Sequence, residues 1–248
     1  WAIDTLNPNA WPAAAEYLKL SEADFAVVQE SKILEGQPVD EAEQATRSFG
    51  WTTAIRPCKA TMKGGKSAGV AVAARSHIGM ANTGFEDDCM DSNSKHRFTL
   101  KHIGAMRRGG FHLGSIYLVH SIGVKDKINQ DLLHSAAGFL KNIAGPWIIG
   151  GDWNDTPQAL QATGWLDLVG GVAHAPSEAT CNGKVFDYFV VSKNFTHAVL
   201  DVGMVHDATF APHSPVRLLM RAAPNTPRVR RVAAPKGFGA HLSAGPLR

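Results

Sequence analysis

Short apolar runs alternate along this chain with segments of helical periodicity. Apolar runs of about four to eight residues bounded by turn residues are typical of buried strands. Such runs predict strands at residues 3–6, 24–30, 50–55, 67–74, 97–103, 110–119, 146–149, 186–191, 198–205 and 216–220. Helical spacing predicts helices at residues 13–20, 39–49 and 126–142, and a short helix beginning near Thr156-Pro157. The pattern indicates an α/β protein rich in strands.

The run 146–149 is followed by the polar sequence Gly150-Gly151-Asp152-Trp153-Asn154-Asp155. We expect the two glycines to end the strand, because glycine permits close approach of the backbone to a ligand or a positive φ. Ligand sites in α/β sheets lie outside the carboxyl ends of strands. Asp152 and Asn154 therefore indicate a metal or phosphate site, whereas Trp153 is expected to pack and Asp155 to cap the following helix.

Other predicted strands also end in polar side chains whose types suit one chemistry. Together with Asp152 and Asn154 these residues are Asn7, Glu30, His120, Asp187 and His213. Carboxylates are hard oxygen ligands for Mg²⁺ or Mn²⁺, Asn can orient a phosphate oxygen, and a His beside an Asp can act as a general acid or base. No Cys/His cluster has the spacing of a zinc site.

Composition bounds the possible partners. With 248 residues, 44% of them hydrophobic, the chain is long enough for one large α/β domain or two small ones. No apolar run reaches the length of a membrane span, so no membrane partner is expected. Six of the 25 Lys and Arg residues lie in residues 221–248, which hold no acid, and residues 1–220 carry 19 basic against 22 acidic side chains. A polyanion would therefore have to be attracted by local basic patches or by metal ions.

Two other motifs have weaker interpretations. Gly64-Gly65-Lys66-Ser67 is not read as a phosphate-binding P-loop, because the pattern requires a glycine where Ala60 stands and a helix where a strand is predicted. The loop cations either contact a nucleic-acid backbone or are solvated charges. They are Lys59, Lys63, Lys66, Arg107 and Arg108.

Motifs in a fixed order make the chain resemble the endonuclease/exonuclease/phosphatase superfamily, which has the DNase I-like fold. The matching segments are Leu6-Asn7, Val28-Gln29-Glu30, Tyr117 to Ser121, Gly151-Asp152-Trp153-Asn154, Phe186 to Val191 and Pro212-His213-Ser214-Pro215-Val216. The resemblance covers about residues 3–220. It implies a four-layer αββα sandwich of two packed β-sheets flanked by helices.

The resemblance also implies a role for each matched residue in Mg²⁺- or Mn²⁺-dependent phosphodiester hydrolysis. Glu30 would bind the metal ion with support from Asn7, and Asp152 would position the attacking water, at or beside the metal. Asn154 would hold the scissile phosphate. His213, oriented by Asp187, would stabilise the transition state, and either Tyr117 or His120 would contact the phosphate. DNA is the expected substrate, cut as an endonuclease or an exonuclease.

The chain departs from the family pattern just before His213. The family has a Ser-Asp pair there, whereas this chain has Ala211-Pro212, so a carboxylate that helps bind metal is missing. Asp207 is a distant candidate substitute. The departure keeps two alternatives open: a phosphatase or phosphodiesterase acting on a phosphoester other than nucleic acid, or a catalytically degenerate domain that binds nucleic acid.

The expected domain organisation is a superfamily-like domain over residues 1–220, truncated at its N-terminus, and a basic Pro/Arg-containing tail or linker over residues 221–248. Such a tail would suit a connection to a missing downstream domain, as in retroelement endonucleases. The three scattered cysteines, Cys58, Cys89 and Cys181, favour reduced thiols in an intracellular protein, with a nuclear location compatible. A monomer is expected.

Overall fold

Two six-stranded sheets form the centre of the protein, which we describe from a computed structural model over residues 1–61, 64–83 and 90–221. The strands are β1 (Ala2–Leu6), β2 (Phe25–Val28), β3 (Trp51–Arg56), β4 (Lys59–Ala60), β5 (Lys66–Ser67), β6 (Val70–Arg75), β7 (Met80–Asn82), β8 (Phe98–Ile103), β9 (Phe111–Tyr117), β10 (Trp147–Asp152), β11 (Gly171–His174), β12 (Asp187–Ser192), β13 (Val199–Met204) and β14 (Val216–Met220). The helices are α1 (Trp11–Leu20), α2 (Gln37–Ser48), α3 (Lys127–Asn142), α4 (Pro157–Gln161) and α5 (Trp165–Val169).

The strand order is β13-β14-β1-β2-β6-β3 in the first sheet and β11-β12-β10-β9-β8-β7 in the second. Alternate residues of a strand face opposite sides of a sheet. Phe25 and Val27 of β2 accordingly pack between the sheets, whereas Ala26 and Val28 pack beneath α1 and α2. Helices α3, α4 and α5 cover the outer face of the second sheet. The predicted αββα sandwich is confirmed.

The sheet topology brings several strand ends to one edge. Strands β1 and β2 are parallel, so Asn7 and Glu30 emerge side by side. Strands β9 and β10 are also parallel, and their last residues, Tyr117 and Asp152, are paired. Strand β12 runs antiparallel to β10 and begins at Asp187, directly opposite Asp152. The polar ends of both sheets thus lie at one edge of the sandwich.

Strand β10 differs from the prediction that its glycines end it. It continues through both glycines to Asp152, and neither glycine has a positive φ. A Cβ on Gly150 would lie 2.6 Å from Val27 Cγ2, and one on Gly151 would lie 2.4 Å from the Ile116 carbonyl oxygen. The glycines are therefore required by close packing within and between the sheets, not by a ligand or a turn.

Several further elements differ from the sequence predictions or had none. The basic segment around Lys59 and Lys66 is not a plain loop, since its described ends pair as the hairpin β4–β5. Thr156, rather than Asp155, caps α4, because its Oγ1 accepts from the Ala159 amide at 3.2 Å. Strands β7 and β11 and helix α5 had no prediction, since each is at most five residues long. Trp153 is fully buried, as expected.

In the ranges that the structure describes, no helix has both the length and the apolar character needed to cross a bilayer. Cys58 and Cys181 are buried free thiols. Cys89, Lys63 and the predicted tail from residue 222 onward lie outside the described residues.

Candidate active site

Asn7 links the two sheets at the edge where the strand ends meet. Its Nδ2 donates to Asp152 Oδ2 at 2.8 Å and lies 3.4 Å from Glu30 Oε1. Its own oxygen accepts from the Asn9 amide at 3.1 Å, which fixes the orientation of the carboxamide. The first sheet therefore supplies an amide that holds a carboxylate from each sheet within one site.

Glu30 is held by donors on both carboxylate oxygens. The Tyr117 hydroxyl donates to Oε1 at 2.5 Å, and Lys32 Nζ lies 3.0 Å from Oε2. Burial by itself would raise the pKa of Glu30, but the hydrogen bonds from Tyr117 and Lys32 outweigh it and lower that pKa. Glu30 is therefore an anion at neutral pH.

Tyr117 is the donor in this contact. Burial, followed by the negative charge of Glu30, raises the pKa of Tyr117 well above its usual value, so the phenol keeps its proton. The Arg97 guanidinium carbon lies 4.8 Å from the centre of the Tyr117 ring. The structure thus places Tyr117 on Glu30, whereas His120 is exposed in the following loop and makes no hydrogen bond to a described residue.

Asp152, Asp187 and His213 form a second group in the same site. His213 Nδ1 lies 2.8 Å from Asp187 Oδ2, and His213 Nε2 lies 3.7 Å from Asp152 Oδ2. Ligand atoms of the three residues all lie within 4.8 Å of one another, a spacing that could hold a metal ion. The His–Asp pair has the contact expected of an oriented imidazole.

The ionisation of this group is strongly perturbed. Burial, followed by the charge of Asp187, raises the pKa of Asp152 to about 7. Burial opposes protonation of His213, but its hydrogen bond to Asp187 and the charges of both aspartates raise its pKa to about 9. Asp187 therefore favours the charged form of the His213 imidazole, and the raised pKa of Asp152 moves this carboxylate toward the range that suits a general base near neutral pH.

Asn154 adjoins the group through both its backbone and its side chain. Its amide donates to Asp152 Oδ1 at 3.0 Å, and its Nδ2 donates to the Leu118 carbonyl at 2.9 Å. Its φ of 48° lies in the left-handed region, which Asn tolerates better than most residues. The Asn154 side chain makes no other hydrogen bond to a described residue, so its second N–H has no partner there.

The structure therefore brings together all the predicted site residues except His120. Gln29, which the sequence analysis named in the Val28-Gln29-Glu30 segment without a role of its own, bridges the sheets, since its Nε2 donates to Ser115 Oγ at 2.9 Å. Two further residues were missed by the sequence analysis. Lys32 pairs with Glu30, and Arg97 stacks on Tyr117. Lys32 follows Glu30 by two residues, which was a usable signal, but Arg97 lies 20 residues from Tyr117 and offered none. Asp207 is exposed and does not belong to the aspartate–histidine group.

Comparison with solved structures supports the fold. The chain superposes on a 3′-5′ exonuclease (NExo) from Neisseria meningitidis with a TM-score of 0.68 and 15% identity, covering 89% of this chain and 100% of that one. For the AP endonuclease LMAP from Leishmania major the TM-score is 0.65 at 14% identity, with 90% and 88% covered. For the endonuclease domain of TRAS1, a telomere-specific non-LTR retrotransposon, it is 0.62 at 13% identity, with 90% and 98% covered. These likenesses show the fold of the chain, which is DNase I-like.

No family model matches the sequence. No curated protein matches it either.

Proposed function

We propose that the protein is a metal-assisted hydrolase of phosphodiester bonds, with DNA as its substrate. The observation that carries the proposal is the Asp187–His213–Asp152 arrangement, in which a charged imidazole is anchored at 2.8 Å and faces a carboxylate at 3.7 Å. Phosphodiester hydrolysis needs a placed water and charge stabilisation on the phosphate oxygens. This arrangement has a group suited to each task.

The donor set fits a hard divalent cation. Glu30, Asp152 and Asp187 are carboxylates, the ligands that Mg²⁺ and Mn²⁺ favour. Asp187 Oδ1 is buried and has no hydrogen-bond partner among the described residues, which suits an electropositive ligand. Glu30 would hold the ion with support from Asn7 and Asp152. A bound Mg²⁺ or Mn²⁺ would supply Lewis-acid stabilisation of the phosphate.

The residues of the chain have separate tasks in the proposed reaction. Asp152 accepts a proton from water as the water oxygen bonds to phosphorus, and the bond from phosphorus to the leaving oxygen breaks. The leaving oxygen is protonated by solvent. The His213 imidazolium stabilises the charge on a non-bridging oxygen, and the free N–H of Asn154 holds another. Tyr117 keeps Glu30 in place and contacts the phosphate.

DNA is proposed as the substrate because the neighbours of similar fold include an AP endonuclease, a 3′-5′ exonuclease and a retrotransposon endonuclease domain. The Neisseria protein is also described as a 3′ phosphatase bound to a product DNA hairpin. These neighbours include both endonucleases and an exonuclease, so they do not choose between cleavage within a DNA strand and cleavage at its end. A phosphoester other than nucleic acid is the alternative substrate.

Two observations favour a second candidate function, a degenerate domain that binds nucleic acid without cutting it. Pro212 stands where the family has a metal-binding Asp, so one carboxylate ligand is missing. Lys32 pairs with Glu30 at 3.0 Å and offsets its charge without a divalent cation. The intact Asp152, Asp187 and His213 group argues against loss of catalysis.

A plasmid-nicking assay with Mg²⁺ separates the two candidates. Wild type is expected to convert supercoiled plasmid to nicked or linear forms, whereas Asp152→Ala and His213→Ala are expected to lose at least about 100-fold in rate. His134→Ala is the matched control, because His134 is exposed on α3 in the outer layer. The hydrolase proposal fails if wild type neither nicks plasmid nor hydrolyses simple phosphodiesters, and binding without cleavage then becomes the supported function.

A further inference from the structure

The hairpin β4–β5 lies directly beside the loop that carries Glu30. The Cys58 amide, next to the start of β4, donates to the Ile33 carbonyl at 2.7 Å. The Lys32 amide donates to the Ala68 carbonyl, just after β5, at 3.2 Å. Backbone hydrogen bonds thus fix both ends of the hairpin to the segment that follows Glu30.

Arg97 connects the same hairpin to Tyr117. Its Nη2 donates to Ser67 Oγ at 3.3 Å, while its guanidinium stacks on the Tyr117 ring. The Gly69 amide donates to the His96 carbonyl at 3.0 Å. The hairpin, the segment around His96 and the Tyr117–Glu30 contact are therefore parts of one continuous surface at the edge of the candidate active site.

This surface is rich in lysine. Lys59 and Lys66 are exposed on the two strands of the hairpin, and Lys95 is partly exposed on the neighbouring segment. Lys59 Nζ donates to Asn93 Oδ1 at 2.9 Å, which holds the hairpin against that segment. The one described carboxylate in the same turn, Asp91, accepts from the Asn93 and Ser94 amides of its own turn.

His96 lies among the cations of this region. Burial first, and then the charges of Lys95, Lys59 and Arg56, lowers the pKa of His96, against the hydrogen bond to the Pro57 carbonyl that raises it. Cations on three separate segments are thus close enough to act on one imidazole. Since residues 1–220 carry a net negative formal charge, this local excess of positive charge is a property of the surface and not of the whole domain.

We infer that Lys59, Lys66 and Lys95, here called the lysine ledge, bind the phosphate backbone of a polynucleotide on one side of the active site. The inference rests on the proposed hydrolase function and extends it. It specifies a polymeric substrate whose phosphates beyond the scissile one are held by this chain. A small phosphoester would reach Glu30 and His213 without touching the ledge.

The structure separates the ledge from the other basic turn, Arg107-Arg108. That turn joins β8 to β9 at the end opposite Arg97 and Tyr117. At about 3.3 Å per residue, the six residues of β8 place it roughly 20 Å away. Arg107 and Arg108 are both exposed, so their replacement is a control matched in charge to a double lysine replacement.

The test measures binding of the full chain to a fluorescent 20-base-pair duplex by anisotropy in EDTA, over a series of salt concentrations. For Lys59→Ala/Lys66→Ala we expect roughly tenfold weaker binding and a salt slope reduced by about two, because each duplex phosphate contact contributes about 0.9 to that slope. Arg107→Ala/Arg108→Ala is expected to bind like wild type. All three proteins keep the basic residues 221–248, which therefore contribute equally.

Melting curves are the control for folding, and both double variants are expected to melt like wild type because the replaced side chains are exposed. A second assay distinguishes failure of the inference from failure of the proposed function.

With Mg²⁺, the lysine double variant is expected to hydrolyse a small ester, bis(p-nitrophenyl) phosphate, at the wild-type rate and to lose activity only on duplex. Equal duplex binding by both double variants would overturn the ledge, whatever the hydrolysis result. If the wild type hydrolyses neither substrate but only the lysine double variant loses duplex binding, the lysine ledge is supported and the hydrolase function is refuted. In a competition experiment, the nucleic-acid assignment would be overturned if polyglutamate displaced the labelled duplex as effectively as unlabelled DNA does.

Discussion

Asn7 and Asp152 are 145 residues apart in the chain, yet Asn7 Nδ2 donates to Asp152 Oδ2 at 2.8 Å. Asn7 follows β1 of the first sheet, and Asp152 ends β10 of the second. The contact is buried, so it closes the sandwich at the edge that holds the candidate active site as well as orienting a carboxylate. Stability and chemistry are therefore coupled at this hydrogen bond.

Asn7→Ala is expected to lower the free energy of unfolding by about 1–3 kcal/mol, because it leaves Asp152 Oδ2 buried without its donor. It should also raise the pKa of Asp152 further, since the lost hydrogen bond favours the charged form. Urea denaturation measures the first effect, with Asn142→Ala on an exposed helix end as control. Equal stability of the two variants would contradict the sheet-bridging role.

Tyr117→Phe is expected to reduce DNA cleavage by at least about tenfold. The Tyr117 hydroxyl donates to Glu30 Oε1 at 2.5 Å, and phenylalanine has no donor that could take its place. The matched control is Tyr17→Phe. The Tyr17 hydroxyl donates to buried Asp4 at 2.7 Å, within a network that includes Arg217 and not the site residues. Tyr17→Phe should cost about 1–2 kcal/mol of stability and leave cleavage unchanged. Similar activity losses in both variants would indicate a structural effect only.

The stability of the metal-free protein should decline between about pH 6.5 and 9. The pKa of His213 is raised to about 9 in the folded state, so its contribution is complete below the unfolded pKa near 6.5 and is lost as pH rises through 9. The contribution is at most about 3–4 kcal/mol. Asp152, whose folded pKa is raised to about 7, adds a decline of the same sign from about pH 4 to 7. Urea denaturation measures the free energy of unfolding at each pH. Its decline between pH 7 and 9 should be smaller in Asp187→Asn than in wild type. An unchanged decline would exclude the Asp187–His213 pair as its origin.

Pro212→Asp is expected to tighten Mn²⁺ binding by roughly tenfold, because affinity for hard cations rises with the number of charged oxygen ligands. Isothermal titration calorimetry measures this directly. Asp207→Asn should leave the affinity unchanged, since Asp207 is exposed and outside the aspartate–histidine group. No gain for Pro212→Asp would mean that position 212 does not face the metal site.

Gly150→Ala is expected to destabilise the protein by about 1–3 kcal/mol through overpacking. The added Cβ would lie 2.6 Å from Val27 Cγ2 and 2.7 Å from Phe189 Cε1. Gly138→Ala, in α3 with no atom within 4 Å of the added Cβ, should instead stabilise by up to about 1 kcal/mol. Thermal melts compare the two, and stabilisation by Gly150→Ala would show that the inter-sheet packing is looser than described.

Local sequence patterns predicted most of the strands and helices and most of the candidate site residues. Strand and helix periodicity is a local signal, so β1, β2, β9, β10, β12 and α3 could be placed from it within a few residues. The polar residues at the strand ends could also be identified from the sequence, because each lies at or near the end of an apolar run. They are Asn7, Glu30, Asp152, Asp187 and His213. Their order along the chain carried the resemblance to the superfamily.

Local patterns could not predict which of these polar side chains come into contact in the folded protein. The choice of Tyr117 over His120 depends on strand register, since Tyr117 pairs with Asp152 while His120 lies three residues beyond the strand. The reason for Gly150 and Gly151 is packing against Val27 and Ile116, which lie far away in sequence. Arg97, Lys59 and Lys66 join the edge of the site through contacts between separate segments. A local sequence pattern does not predict such contacts, because they form only when two sheets and a hairpin pack together.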